Sequence, residues 1–165
     1  MADQELIAQA RALLDLCRTK KLKIAAAESC TGGLLAATLT EIAGSSDVFE
    51  RGFVTYTNEA KIAMLGVPPA VLEAHGAVSR ETAEAMAAGA LAHAPVELAV
   101  SITGIAGPGG AVAGKPVGLV HLGGASRRGR RLHRECRYGD IGRAQVRHAS
   151  VLEALALLRE LAQAE

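Results

Sequence analysis

Aromatic side chains are nearly missing from this chain: among 165 residues there are two Phe, two Tyr and no Trp. Proteins that hold single-stranded nucleic acid stack bases on aromatic rings, and that route has little material here. An excess of charge is missing too, since 18 Lys and Arg against 17 Asp and Glu leave a formal net charge of +1. So small an overall field recruits neither a polyanion nor a membrane surface. Cysteine is sparse: Cys17, Cys30 and Cys136 are odd in number, widely spaced and form no C-x-x-C, which argues against a disulfide framework and against zinc. No metal and no cofactor is expected. No stretch approaches the ~18 apolar residues of a membrane span. The opening residues, MADQELIAQARALLDL, place acids and polar groups where a signal peptide needs a basic start and an unbroken apolar run. The expectation is a cytoplasmic chain with neither membrane nor nucleic acid as partner.

What is abundant is aliphatic: 50% of the residues are hydrophobic, chiefly Ala, Leu, Val and Ile, a composition suited to helices packed closely on a sheet. The length fits one domain, residues 1–165, able to bury a core without staples. Helical spacing of Leu6, Ile7, Ala10, Leu13, Leu14 and Cys17 predicts a first helix over 4–20. A strand over 23–27 follows, then a helix over 31–43 that stops at Gly44. Residues 48–57 read as a second strand, bent at Gly52, and 58–65 as a short helix. After Gly66 and Pro68-Pro69 a helical turn is expected over 69–75. Ser79 is placed to cap an Ala-rich helix over 80–94, and 97–105 is a nearly continuous apolar run, the pattern of a strand buried on both faces. Residues 117–125 and 131–138 flank a Gly129-containing turn as an antiparallel hairpin. Asp140 is placed to cap a last helix, whose stripe of Ala144, His148, Val151, Leu152, Leu155 and Leu158 is widened by Ala154, Leu157 and Leu161. A stripe that wide is covered from two sides, either by a second copy or by being wedged between the sheet and the first helix. A homodimer is the expectation.

Two predicted strands end in hydroxyls and glycines, at Glu28-Ser29-Cys30-Thr31-Gly32-Gly33 and at Thr103-Gly104-Ile105-Ala106-Gly107. In α/β folds ligands collect at the carboxyl ends of strands, and the N–H groups of a following helix attract anions. Ser29 is placed either as a nucleophile or, like Thr31, as a helix cap. The stretch is not G-x-S-x-G, and none of the five His residues falls where a serine's base is needed. A lysine can replace that His if an apolar pocket destabilises its charge. Lys61 is the candidate, in the first turn of a helix where an acid is usual, with a solvated surface lysine as the alternative. Cys30 is the rival nucleophile or a buried thiol. The Gly104–Gly114 stretch offers backbone N–H groups to an oxyanion or phosphate, or is a plain loop; it lacks the Walker pattern because Pro116 follows Lys115. Six arginines lie within Arg127–Arg137 and read as a solvated hairpin, while Arg143 opens the last helix, where it could hold a phosphate.

The run AESCTGGLLAATLTEIAGSSDVFERGFVTYTNEAK, followed by LGV, HGAVS, SITGIAGPGG and KPVGLV, resembles the C-terminal domain family of CinA proteins, which includes stand-alone nicotinamide-nucleotide amidases. The resemblance covers about Leu6 to Leu158. It implies a stand-alone domain with a three-layer α/β/α sandwich around a mixed, mostly parallel sheet of about five strands. It also implies metal-independent hydrolysis of the carboxamide of nicotinamide mononucleotide, a small-molecule nucleotide substrate, to nicotinic acid mononucleotide and ammonia. On that footing Ser29 attacks, Lys61 takes its proton, and Tyr56 relays a proton or holds Lys61. Thr103 and nearby N–H groups, Gly104 among them, serve the oxyanion or substrate. Thr31, Gly32, Gly33, Gly107 and Arg143 serve the substrate, the ribose-phosphate end included. The alternative is a catalytically silent nucleotide- or partner-binding module linked to competence or damage responses. A nucleic-acid accessory using the arginine hairpin is a third reading.

Overall fold

The computed structural model describes residues 3–165. Its first element, α1 (Gln4–Lys20), is capped by the Asp3 carboxylate, which accepts the N–H groups of Glu5 and Leu6. The chain then forms β1 (Ile24–Glu28), α2 (Leu34–Thr40), a 3-10 turn over Ser45–Asp47, β2 (Phe49–Val54), α3 (Asn58–Leu65), α4 (Pro69–His75), α5 (Arg80–Ala92), β3 (Leu98–Gly104), β4 (Leu119–Ser126), β5 (Arg131–Arg137) and α6 (Arg143–Gln163).

The five strands make one mixed sheet in the order β2-β1-β3-β4-β5. β1 runs parallel to both its neighbours, β2 and β3, whereas β4 is antiparallel to β3 and β5. Four strands thus point one way, and β1, the strand that leads into Ser29, is flanked by parallel partners that end beside it. Alternate residues serve the two faces. Ile24, Ala26, Leu98, Val100, Ile102, Val120 and Leu122 pack with α1, α2 and α6, while Ala25, Ala27 and Ala99 pack with α3, α4 and α5. Helices on both faces give the expected three-layer sandwich.

Glycine sets how closely those layers approach. A methyl group built on Gly123 of β4 would lie 2.5 Å from the Ala83 carbonyl oxygen of α5, and one on Gly124 would overlap Leu157 of α6. Both helices therefore rest on bare backbone at this point of the sheet. Gly89 does the same between helices, since a methyl there would overlap the Leu65 carbonyl of α3.

Several boundaries differ from the sequence reading. α2 starts at Leu34 rather than at residue 31, because Gly32 and Gly33 take φ of 56° and 102° in a turn that a right-handed helix cannot include. The irregularity in β2 lies opposite Ile24/Ala25, where pairing skips Glu50, and not at Gly52. Gly52 is regularly paired with Ala26 and leaves room for the Phe49 ring and Ala36. Asp140 does not cap α6, whose N-cap is Gly142 with no side-chain bond.

Most of the broad apolar stripe of α6 is covered within the chain. Val146, Val151, Ala154, Leu155, Leu157, Leu158 and Leu161 are buried against α1 and the sheet. Lys20 of α1 donates to the carbonyls of Ala162, Gln163 and Glu165 at the far end of α6. The wedge covers most of the stripe, while Ala144 stays exposed and His148 and Leu152 are half-buried. Among the described residues, no helix is long and apolar enough to cross a membrane.

Replacing Gly89 by Ala should raise helix propensity by about 1 kcal/mol, yet overlap with a backbone carbonyl costs about 1–3 kcal/mol because the neighbour cannot rotate away. The expected result is a lower urea midpoint for Gly89→Ala. A midpoint at or above wild type would mean that α3 shifts freely over α5.

Candidate active site

β1 carries its last side chain, Glu28, into the protein interior, where 1% of the residue is exposed. Its Oε1 accepts the Thr31 hydroxyl at 2.6 Å and the Leu35 N–H at 3.0 Å, and its Oε2 accepts the Ala36 N–H at 3.1 Å. The carboxylate thereby occupies the positive end of α2. Between strand and helix the chain makes a turn. The Ser29 N–H still bonds to Ile102 of β3, the Gly32 N–H returns to the Ser29 carbonyl, and Arg147 Nη2 of α6 donates to the Thr31 carbonyl at 3.0 Å.

α3 brings the second group. Its N-cap Thr57 accepts the Ala60 N–H, and one residue later Lys61 turns inward, only 1% exposed. The Lys61 Nζ lies 3.0 Å from Ser29 Oγ and donates to the carbonyls of Thr55 at 2.9 Å and Tyr56 at 3.3 Å. No carboxylate among the described residues forms an ion pair with it. Burial lowers its pKa from the ordinary lysine value, the lost hydration of an ammonium outweighing the opposing electrostatic influence of Cys30. In its neutral form the Lys61 amine, 3.0 Å from Ser29 Oγ, would be an acceptor for that hydroxyl. Cys30 goes the other way, burial pushing its thiol up to about 11.

Ser29 and Lys61 line a cavity of about 290 Å³ together with Tyr56, Thr103, Gly104, Gly107 and Arg143. Seven of the ten residues singled out in the sequence therefore meet in one place. Thr31, Gly32 and Gly33 do not line it. Thr31 points into Glu28, and because that carboxylate already fills the head of α2, no helix end is left there for a phosphate. Tyr56 reaches Lys61 through its carbonyl. Its exposed ring instead brings the hydroxyl to Arg143 Nη2 at 2.9 Å, so a side-chain relay to Lys61 is not made in this structure. The Thr103 hydroxyl donates to the Ala77 carbonyl at 2.8 Å, which ties the end of β3 to the loop before α5 and engages the proton expected for an oxyanion. Gly104 allows close approach to Leu119 and Val120 of β4. Arg143 Nη1 donates to the Gly107 carbonyl at 2.9 Å, closing the rim opposite Ser29. Among the described residues, the backbone N–H groups of Cys30, Ala106 and Gly107 in the cavity wall bond to no other residue.

The arginine hairpin is largely solvated, as expected, with Arg128, Arg130, Arg131 and Arg137 exposed, while two of its arginines are also tied to the protein. Arg127 donates to the carbonyls of Leu91, Ala94 and Val96 at the end of α5, and Arg134 pairs with Glu153 and Glu160. No His lines the cavity; His121 and His133 bond to each other at 2.9 Å between β4 and β5. Among the described residues, Asp3, Glu5 and His148 are close enough to share a metal ion, but they are apart from this cavity and Asp3 already caps α1. Sequence reasoning passed over Glu28 and Arg147. Glu28 left one signal, an acid closing an apolar strand immediately before a helix. Arg147 left none, since its partner is a backbone carbonyl 116 residues away.

The sequence matches the family described as CinA C-terminal domain over residues 7–162. It is 55% identical over 115 residues to a putative competence-damage inducible protein of Caldicellulosiruptor bescii, covering 70% of this chain and 28% of that protein. It is 48% identical over 145 residues to a CinA-like protein of Thermosynechococcus vestitus, covering 87% and 35%. The chain thus spans about a third of the length of these curated relatives. Among solved structures it resembles the competence/damage inducible protein CihA from Agrobacterium tumefaciens, with a TM-score of 0.95, 53% identity and 98% of each chain covered. A CinA superfamily protein from Klebsiella pneumoniae matches with a TM-score of 0.93 and 31% identity, covering 98% of this chain and all of that one.

With a pKa of about 11, roughly one Cys30 thiol in ten thousand is ionised at pH 7. Iodoacetamide should therefore label Cys30 of the folded protein very slowly at pH 7 and readily only after denaturation, as read by peptide mass mapping. Fast native labelling would restore the thiol as rival nucleophile.

Proposed function

We propose that this chain, which belongs to the CinA C-terminal domain family, is a metal-independent amidohydrolase that deamidates nicotinamide mononucleotide through a serine nucleophile and a lysine base. The observation that carries the chemistry is the buried Lys61 amine, 3.0 Å from Ser29 Oγ and, among the described residues, otherwise hydrogen-bonded only to carbonyl oxygens. The substrate is proposed from the resemblance of the motifs around those residues. The small cavity and the arginine at its rim are compatible with a flat carboxamide ring inside and an anionic group outside.

The steps follow from the groups present. Neutral Lys61 takes the Ser29 proton as Oγ attacks the carboxamide carbon. The oxygen that becomes anionic is received by free backbone N–H groups, those of Cys30 and of the Ala106–Gly107 wall being available. The tetrahedral intermediate collapses as Lys61 returns the proton to the leaving nitrogen, and ammonia departs. Water, deprotonated by Lys61, then attacks the nicotinoyl ester and frees Ser29 and the acid product. Arg143, held by Tyr56 and Gly107, retains further N–H donors for the phosphate. Because the substrate is an intracellular nucleotide, we place the enzyme in the cytoplasm.

A lowered lysine pKa has a definite sign. At pH values between the native pKa and the unfolded one, the unfolded chain binds more protons, so folding stability from this group rises with pH and falls as pH drops through the native pKa. Activity follows the same direction, since only the neutral amine accepts the serine proton.

Ammonia release from nicotinamide mononucleotide, with and without a chelator, tests the proposal directly. Wild type should turn over in either condition and Ser29→Ala should lose at least ~10³-fold in kcat while melting normally. Near-normal turnover by that variant would reject the nucleophile. No turnover by wild type, with the nucleotide still bound, would favour a binding module.

Lys61→Met should fold, lose a comparable factor, and lose the rising limb of the pH–rate profile. A residual rate that keeps the limb would move the base elsewhere.

A further inference from the structure

Glu28 is not needed for any proton transfer above, yet it is a buried acid adjoining the nucleophile. We propose that Glu28 is a positioning residue for Ser29, acting through Thr31; the inference rests on Ser29 and Lys61 being the reacting pair. Three donors converge on its carboxylate, from Thr31, Leu35 and Ala36. Where those donors come from decides its role. An ordinary cap on α2 would come from the N-cap position, residue 33, but that position is Gly33 and makes no side-chain bond. A cap from residue 33 would hold the helix alone. A cap from residue 28 ties the end of β1 to the start of α2 and so braces, from both sides, the turn that carries Ser29.

Thr31 is the brace's contact point. Its hydroxyl is held by Glu28 at 2.6 Å and its carbonyl by Arg147 at 3.0 Å, the two charged side chains coming from β1 and α6. Movement of the turn that would carry Ser29 Oγ away from Lys61 must break one of these bonds. Nucleophile and base are 3.0 Å apart at this setting, and misplacement of reacting atoms by about 1 Å lowers rates by about 100-fold.

The test uses wild type, Glu28→Gln, Thr31→Val and the double variant of the full chain. Glu28→Gln keeps an acceptor for Thr31 but sets an amide N–H against the Ala36 N–H, and Thr31→Val removes the linking hydroxyl at nearly constant shape. Two rates are read: deamidation of nicotinamide mononucleotide, and sulfonylation of Ser29 by phenylmethanesulfonyl fluoride followed by mass spectrometry. Each single variant should lose about 10- to 100-fold in kcat and in Ser29 labelling. KM and the midpoint of the rising pH limb should stay at wild-type values, and the double variant should be no worse than Glu28→Gln. A lower melting temperature with wild-type kcat and labelling would reduce Glu28 to a helix cap and overturn the proposal. So would a raised KM at constant kcat, which marks a substrate contact, or a displaced pH limb, which marks a titrating group. If Glu28→Gln does not fold, Thr31→Val at wild-type rates overturns it. Wild-type protein that is labelled at Ser29 but does not deamidate the nucleotide would remove the amidase reading while the labelling rates still decide this one. Wild-type protein that does neither would remove both.

Discussion

The site depends on an amine kept in the interior with no negative charge beside it. Lys61 sits among two carbonyl oxygens and a hydroxyl, a set that solvates an ammonium less well than water does. A carboxylate at the same distance would stabilise the charge and remove its basicity. The nearest acid in sequence to Ser29, Glu28, is instead turned to the opposite side of β1 and consumed by the head of α2. One strand thus directs an acid to one face and presents the next residue to a lysine arriving from the other. The alternation of side chains along β1, continued one residue past its end, separates the two charges.

The sheet order makes the meeting of these groups unavoidable. β1 lies between β2 and β3, all three parallel, so their carboxyl ends open on the same edge of the sandwich. The residues after β2 lead into α3 and supply Tyr56 and Lys61. Those after β3 supply the Gly104–Gly107 wall, and the residue after β1 is Ser29. α6, arriving last, closes the rim with Arg143 and reaches the nucleophile turn with Arg147, one helical turn further on. Positioning by several different elements suits a small cavity better than a single flexible loop does.

Much of this was legible in the chain. Local signals, such as Ser79 before an Ala-rich run or Gly66 after a short amphipathic one, fixed α3, α4 and α5 to within two residues. The pairing of Ser29 with Lys61 was legible as chemistry, because a serine at a strand end without a usable His calls for another base. What stayed hidden depends on long-range hydrogen bonds. The start of α2 was misplaced because two glycines were read as helix, whereas their positive φ angles form the turn that Glu28 braces. Thr103 and Tyr56 were correctly brought to the cavity, but the directions of their hydroxyls are set by Ala77 and Arg143, residues distant in sequence. The covering of α6 could not be read from its own stripe, since the stripe is the same whether α1 or a second copy lies on it.

The sheet has two free edges, β2 and β5, and each carries a device already described. β2 skips Glu50 in its pairing and bears the Glu50–Arg51 ion pair, while β5 carries Arg131, Arg134, Glu135 and Arg137. A pairing irregularity and a row of charges both oppose the addition of a foreign strand. Features that make no contact with the cavity thereby work against edge-to-edge pairing.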